Sequence, residues 1–262
     1  MEFLKVAKRH SFWSEIAYIG LNLALVAAIL GVVWAVESPL PAFGLVILSK
    51  WRILAVRPRY WFANIVSNLV DIIVSLSLVV FLYAASGAWV AQVVIALLYA
   101  TWLLALKPRS KRSLVVLQAG VGLFVGVMAL AMQSADWYAS FVVLGFWIIG
   151  YSTARHVLLA YGEHAHLSLL SLLWGFMLAE LGWLTYHWTV AYELIGVGEI
   201  KLPQVAIVAL LLGFLAERVY ISYIHNEKTT VRFADVLLPT LLTVSVVVIL
   251  LVLFNAAPNS LN

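Results

Sequence analysis

The sequence predicts an all-α bundle that crosses a membrane about nine times, with its N-terminus cytoplasmic and its C-terminus outside. Three observations predict it. Hydrophobic residues make up 65% of the 262 and charged residues only 11%, where a soluble domain carries roughly 25% charged residues. Apolar runs of about 20 residues, the length of one span, recur along the whole chain. The cations collect at alternate ends of those runs. In lipid only helices and closed barrels satisfy every backbone group, and runs of this length are helices.

Taken in order, residues 1–13 form a basic amphipathic lead. Phe3, Val6, Ala7 and Trp13 share one helical face, with Lys5, Lys8 and Arg9 elsewhere, a pattern suited to the membrane interface. The spans follow at about 15–36, 40–56, 61–86, 88–106, 114–132, 138–160, 167–194, 203–224 and 235–255, within a single transmembrane domain, 1–262. The first is too long for a signal-peptide core and is read as retained. The second is short and carries Lys50 and Arg52, whose long side chains can reach the interface from a helix end. Connections are short, so neighbouring helices pack antiparallel.

Charge placement tests the count. Nine spans put the clusters at 5–9, 50–59, 107–112 and 218–232 on one side, and of the 16 Lys and Arg only Lys201 falls outside. Without the second span, the 50–59 and 107–112 clusters would lie on opposite sides. A cytoplasmic (inner) membrane is the expected location, with these clusters on its inner face. Two of the basic ends are alike, Leu54-Ala55-Val56-Arg57-Pro58-Arg59 and Leu104-Ala105-Leu106-Lys107-Pro108-Arg109. In each, the proline disfavours helix at the residue before it and marks an exit from the membrane. Lys50, Arg52, Arg57, Arg59, Lys107, Arg109, Lys111 and Arg112 are expected to contact anionic lipid headgroups on the cytoplasmic face.

Polar groups within spans are costly in lipid and therefore informative. Asn64, Asn68, Asp71 and Ser75 recur at helical spacing on one face of the third span. By the helical rise, Asp71 lies roughly 15 Å deep. Arg218 beside Glu217, and Arg155 at a shallower level, are its expected partners. Glu180, near the middle of the seventh span, shares a face with His187, with Tyr186 and Thr189 nearby. Asn64, Asn68, Asp71, Arg155, Glu180, His187, Glu217 and Arg218 are thus the candidate substrate or ion site. His156 and His225 are interfacial, and Glu163, His164 and His166 fall in an inner loop with poor spacing for one metal.

The absence of cysteine removes disulfides, thiolate metal sites and cysteine nucleophiles. There is no H-E-x-x-H, no G-x-S-x-G elbow and no P-loop, and every lysine falls at a span end or in a loop, away from where a retinal would be carried. No metal, cofactor or catalytic residue is expected, and the net charge of +4 points to an anionic membrane face rather than nucleic acid. Gly122 and Gly126 form a small-xxx-small pair for close helix packing. The leading expectation is a small transporter or a solute- or lipid-binding membrane protein with an intramembrane polar site. A scaffold or accessory subunit that binds anionic lipid and a membrane-protein partner is the second reading, and a lipid-modifying enzyme the third.

Overall fold

The computed structural model describes residues 12–134, 137–188, 190–225 and 233–256. The amphipathic lead up to Ser11, Thr189 and the 226–232 part of the last basic stretch therefore lie outside the described residues, as does the His225 side chain.

Among the described residues ten helices run in order as α1 (Phe12–Ala35), α2 (Leu40–Ser49), α3 (Trp51–Leu54), α4 (Trp61–Ala84), α5 (Trp89–Thr101), α6 (Arg112–Gln133), α7 (Ala139–Ala160), α8 (Leu167–His187), α9 (Gln204–His225) and α10 (Phe233–Ala256). A 3-10 turn, Pro58–Tyr60, leads into α4, and a π-helical turn, Trp102–Leu106, extends α5. Eight of the helical segments are long and apolar enough to cross a membrane; Leu40–Ser49 is apolar but shorter. The chain is an all-α multi-pass membrane protein.

The second expected span, 40–56, is not one continuous helix. It breaks at Lys50, whose backbone leaves the helical region (φ −91°, ψ 9°). The seventh expected span ends at His187 rather than 194, and the chain beyond it turns into a small hairpin. Strands β1 (Ala191–Glu193) and β2 (Lys201–Pro203) pair antiparallel with Tyr192 opposite Leu202. Gly198 (φ +74°) docks this hairpin against the end of α4, where a Cβ would lie 2.7 Å from the Ala84 carbonyl oxygen. The next residue's amide donates to that same oxygen at 2.7 Å. No other residue type fits both the left-handed backbone and the close approach.

The core lies along α4 and α6, the two helices with the largest buried share, while α1 and α10 bury least. Side-chain hydrogen bonds fix the antiparallel neighbours. Tyr18 donates to the Leu103 carbonyl and Trp34 to Gln92, at opposite ends of α1. The far end of α4 is tied to the α1–α2 turn by the Tyr83 hydroxyl on the Val36 and Ser38 carbonyls. Its near end is tied to α3 by the Trp61 indole on the Leu54 and Val56 carbonyls. Glycines set the closest helix approaches, as expected for Gly122 and Gly126, whose absent Cβ atoms make room for Val70 and Ile73 of α4. Ser171, Gly175, Ala179 and Gly182 supply a second small stripe on α8. At Gly150, a Cβ would meet Leu178 at 2.9 Å and the Gly175 backbone at 3.1 Å, and α7 and α8 form the most extensive helix pair.

Candidate functional site

Asp71 is the most elaborately held of the candidate residues, and Arg218 is not its partner. One carboxylate oxygen, Oδ2, receives the Lys50 ammonium at 2.6 Å and the Lys107 ammonium at 2.8 Å. The other, Oδ1, accepts the Trp102 indole N–H at 3.1 Å. The Asp71 and Lys50 side chains are 10% and 11% exposed, and Lys107 is 35% exposed. Two cations expected among the headgroups have thus turned inward. Arg218 instead lies on the exposed side of α9, a helix with no substantial packing on α4.

Local backbone irregularity produces the arrangement. The break at Lys50 frees its side chain from α2 at the depth of Asp71. At the end of α5, the Lys107 amide bonds the Trp102 carbonyl five residues back, at 2.8 Å. In a regular α-helix residues 102 and 107 would point about 140° apart. The wider π-helical turn brings them onto one side, so both reach Asp71. Pro108 then ends the element.

The remaining members of the α4 face are satisfied locally. Asn64 donates to the Ile53 carbonyl at 3.3 Å, Asn68 to the Asn64 carbonyl at 2.8 Å, and Ser75 to the Asp71 carbonyl at 2.7 Å. They staple α3 to α4 and hold the helix around Asp71.

Glu180 and His187 do share a face of α8, but it is the exposed one. Trp183 lies between them, its ring centroid 4.8 Å from that of His187. Arg155 is half-buried and donates to the Tyr151 hydroxyl at 3.3 Å. His156 pairs with Gln118 at 2.9 Å, and Gln118 in turn donates to the Leu106 and Arg109 carbonyls. These groups and Asp71 therefore occupy separate places, and the expected single polar site does not form among the described residues. No group of three or more His, Asp or Glu close enough to hold a metal occurs among the described residues.

Glu217 stands apart from the others because it borders a cavity. A space of about 530 Å³ lies between α6, α7, α8 and α9, within the range of small-molecule sites. Its walls are apolar, including Leu123, Trp174, Met177 and Leu210, and its polar lining is Glu217, Tyr220 and Thr153. Gly120 and Gly213 contribute to the space by lacking side chains on α6 and α9.

Around Glu217 and Tyr220 the polar groups are closely connected. The Tyr161 hydroxyl donates to Glu217 Oε1 at 2.6 Å, and Arg218 Nε lies 3.6 Å from Glu217 Oε2. The Tyr220 hydroxyl donates to Glu163 Oε2 at 3.0 Å, and Glu163 Oε1 accepts the His166 amide at 3.1 Å. The Arg112 guanidinium sits 4.8 Å over the Tyr161 ring and that of Arg218 5.0 Å over Phe214. Desolvation, then the adjacent Glu217 carboxylate, raises the Tyr161 phenol above its ordinary pKa and keeps it a donor.

Sequence reasoning missed Lys50, Lys107 and Trp102 as partners of Asp71, and Tyr161, Tyr220, Glu163 and Arg112 as one cluster with Glu217. The short α2–α4 connection was a usable signal for Lys50, since antiparallel neighbours at equal depth meet. Nothing in the spacing announces a π-helical turn or the convergence of Tyr161 with Glu217 across 56 residues. Compared with protein-family profiles, curated proteins and solved structures, the chain matches none of them.

Proposed function

We propose that this membrane protein binds the hydrocarbon part of an amphiphile between α6, α7, α8 and α9, as a lipid-binding protein or a small transporter of lipid-like solutes. The observation that carries this reading is the cavity of about 530 Å³, mostly apolar, with Glu217 and Tyr220 at one end and Thr153 as its other polar lining. Such a lining rejects hydrated ions, since their desolvation has no compensation among leucines. It suits a chain, each buried methylene of which contributes roughly 0.8 kcal/mol relative to water. Ion-coupled transport through Asp71 and Glu180 has less support, because Asp71 is already bonded to two ammonium groups and Glu180 faces outward.

The test is lipid retention. Protein extracted in mild detergent is analysed by native mass spectrometry, with Leu210→Trp to fill the cavity and Leu169→Trp, on the exposed face of α8, as control. The expected result is bound lipid in the wild type and the control and its loss in Leu210→Trp. Equal retention in all three refutes the reading.

The proposal includes nine crossings of a cytoplasmic membrane with the N-terminus inside. Two sets of hydrogen bonds support the crossing by residues 39–54. Tyr83 holds Ser38 at one end of α4, and Trp61 holds Leu54 at the other. The broken α2–α3 segment therefore runs between the two ends of a 24-residue helix, and the 50–59 and 107–112 cations fall on one side. Their exposed members, Arg52, Arg57, Arg59, Arg109, Lys111 and Arg112, are proposed to contact anionic headgroups.

A second reading, a scaffold that docks on another membrane protein, is favoured by one observation. Glu180 lies within a membrane-spanning helix, yet on its exposed face. A carboxylate facing hydrocarbon is costly unless a partner covers it. Crosslinking from positions 176 and 183 in native membranes, compared with Glu180→Leu, tests this second reading.

A further inference from the structure

A lateral apolar cavity in a bilayer accepts hydrocarbon from whichever lipid lies beside it, so selectivity must come from its polar end. That end is built from two helices and one loop. Arg112 opens α6, Glu217, Arg218 and Tyr220 come from α9, and Tyr161 and Glu163 from the α7–α8 connection.

The two acids there are already engaged. Glu217 accepts the Tyr161 hydroxyl at 2.6 Å with Arg218 Nε 3.6 Å away. Glu163, 4% exposed, accepts the Tyr220 hydroxyl and the His166 amide. The two guanidiniums are only partly engaged, Arg218 meeting Glu217 at its Nε. Each lies against an aromatic face, Arg112 over Tyr161 and Arg218 over Phe214. Tyr161 links them, since Arg112 lies over its ring while its hydroxyl and Arg218 Nε meet the two oxygens of one carboxylate, Glu217. A guanidinium held by its face keeps its N–H edge for an acceptor, and that planar edge matches phosphate oxygens. Arg112 makes no ion pair with a carboxylate among the described residues, and Arg109 and Lys111 adjoin it in the chain. Val116, one turn beyond Arg112 on α6, already lines the cavity, so a chain in the cavity would leave its head beside this cluster.

We propose that the occupant is a phosphate-headed lipid, its chain in the α6–α9 cavity and its phosphate held by Arg112 and Arg218. This rests on the chain-binding reading above and adds the headgroup. The carboxylate of Glu217, tied to Tyr161, serves to hold the aromatic platform on which Arg112 lies. Phosphate on a lipid and free phosphate offer the same oxygens, and only the lipid gains from the cavity.

The experiment uses the full chain in nanodiscs with two photoactivatable lipids of identical chains, one a phosphatidylglycerol and one a diacylglycerol. Crosslinks to α6 and α9 are read by peptide mass spectrometry. The expected result is preferential labelling by the phosphate-headed probe by roughly tenfold or more, the scale of charge-assisted hydrogen bonds. Arg112→Gln with Arg218→Gln should bring the two probes to parity without reducing diacylglycerol labelling. Arg112→Lys with Arg218→Lys should retain part of the preference, and this pair guards against a folding defect in the glutamine variant. Glycerol phosphate at millimolar concentration should not displace the probe.

A preference unchanged in the glutamine variant overturns the headgroup assignment and leaves chain binding standing. Displacement by glycerol phosphate overturns the lipid as the source. Failure of both probes to label the cavity in the wild type overturns the chain-binding reading itself, and the headgroup assignment with it.

Discussion

Removing the charge of Asp71 should be the most damaging single neutral substitution among the intramembrane polar groups. Asp71→Asn preserves shape and leaves two ammonium groups, Lys50 and Lys107, that had shared one oxygen at 2.6 and 2.8 Å. Like charges about 4 Å apart repel by about 4 kcal/mol at an effective dielectric near 20. Leaving a buried charge without its partner costs about 3–5 kcal/mol. Lys107 is 35% exposed and can swing toward water, so the lower end, about 3 kcal/mol, is expected. Lys107→Met should cost no more than about 1 kcal/mol, because its pair is partly solvated and Lys50 still neutralises the carboxylate. Lys50→Met should fall between them. Trp102→Phe, which removes one donor from Oδ1, should cost about 1–2 kcal/mol. The triple variant Lys50→Met, Asp71→Leu, Lys107→Met should recover most of the loss, since apolar replacement of a whole buried ion cluster is often neutral or better. Reversible unfolding titrated with SDS in mixed micelles measures each difference. The reasoning fails if Asp71→Asn lies within about 1 kcal/mol of wild type, or if Lys107→Met costs as much as Asp71→Asn.

Three further outcomes are expected. Gly150→Leu should force α7 and α8 apart, because even a Cβ there would meet the Gly175 backbone at 3.1 Å; a loss of about 1–3 kcal/mol in the same titration is the scale of overpacking. Single cysteines introduced into this cysteine-free chain at Ser38 and Ser86 should react with an impermeant maleimide from one side, and those at Arg57 and Ser110 from the other. Labelling of Ser38→Cys and Arg57→Cys from the same side would exclude a crossing by residues 39–54. Glu180→Leu should change the stability of the isolated protein by less than about 0.5 kcal/mol, as exposed substitutions do; a larger loss would show that Glu180 has an internal partner.

The division between legible and illegible features follows from range. Helix existence and membrane insertion depend on composition over about 20 residues, which the sequence displays directly. Thus α4 begins at Trp61 and α6 ends at Gln133, close to the boundaries that hydropathy predicts. The Asn64, Asn68, Asp71, Ser75 face was also legible, because i, i+4 spacing holds wherever the helix is regular. What each residue on it would meet was not. A depth ruler pointed to Arg218 and left Lys50 among the headgroups, and only the packing of α2 and α3 on α4 decides for Lys50.

Lys107 illustrates the limit further. Its proline-terminated helix end looked like any cationic exit from a membrane. The π-helical turn that swings it and Trp102 together is a local choice stabilised by the contact it makes, so it leaves no periodic trace. Glu180 fails in the opposite direction. An acid at mid-span reads as inward by cost alone, and the structure turns it outward because the small residues of α8, Ser171, Gly175, Ala179 and Gly182, take the face against α7.

By itself, then, the sequence determined that the chain is a multi-pass helical membrane protein, the approximate limits of its long helices and which faces carry polar groups. These follow from the transfer of apolar side chains and backbone amides into lipid, a cost summed over neighbours in the chain. Tertiary structure alone decided that Asp71 joins Lys50 and Lys107, and that Glu217, bonded by Tyr161, and Tyr220 line one end of an apolar cavity. Those outcomes depend on which helices touch and how far each is rotated. For α7 against α8, steric fit at Gly150, Gly175 and Gly182 limits that rotation, through contacts between residues far apart in the chain.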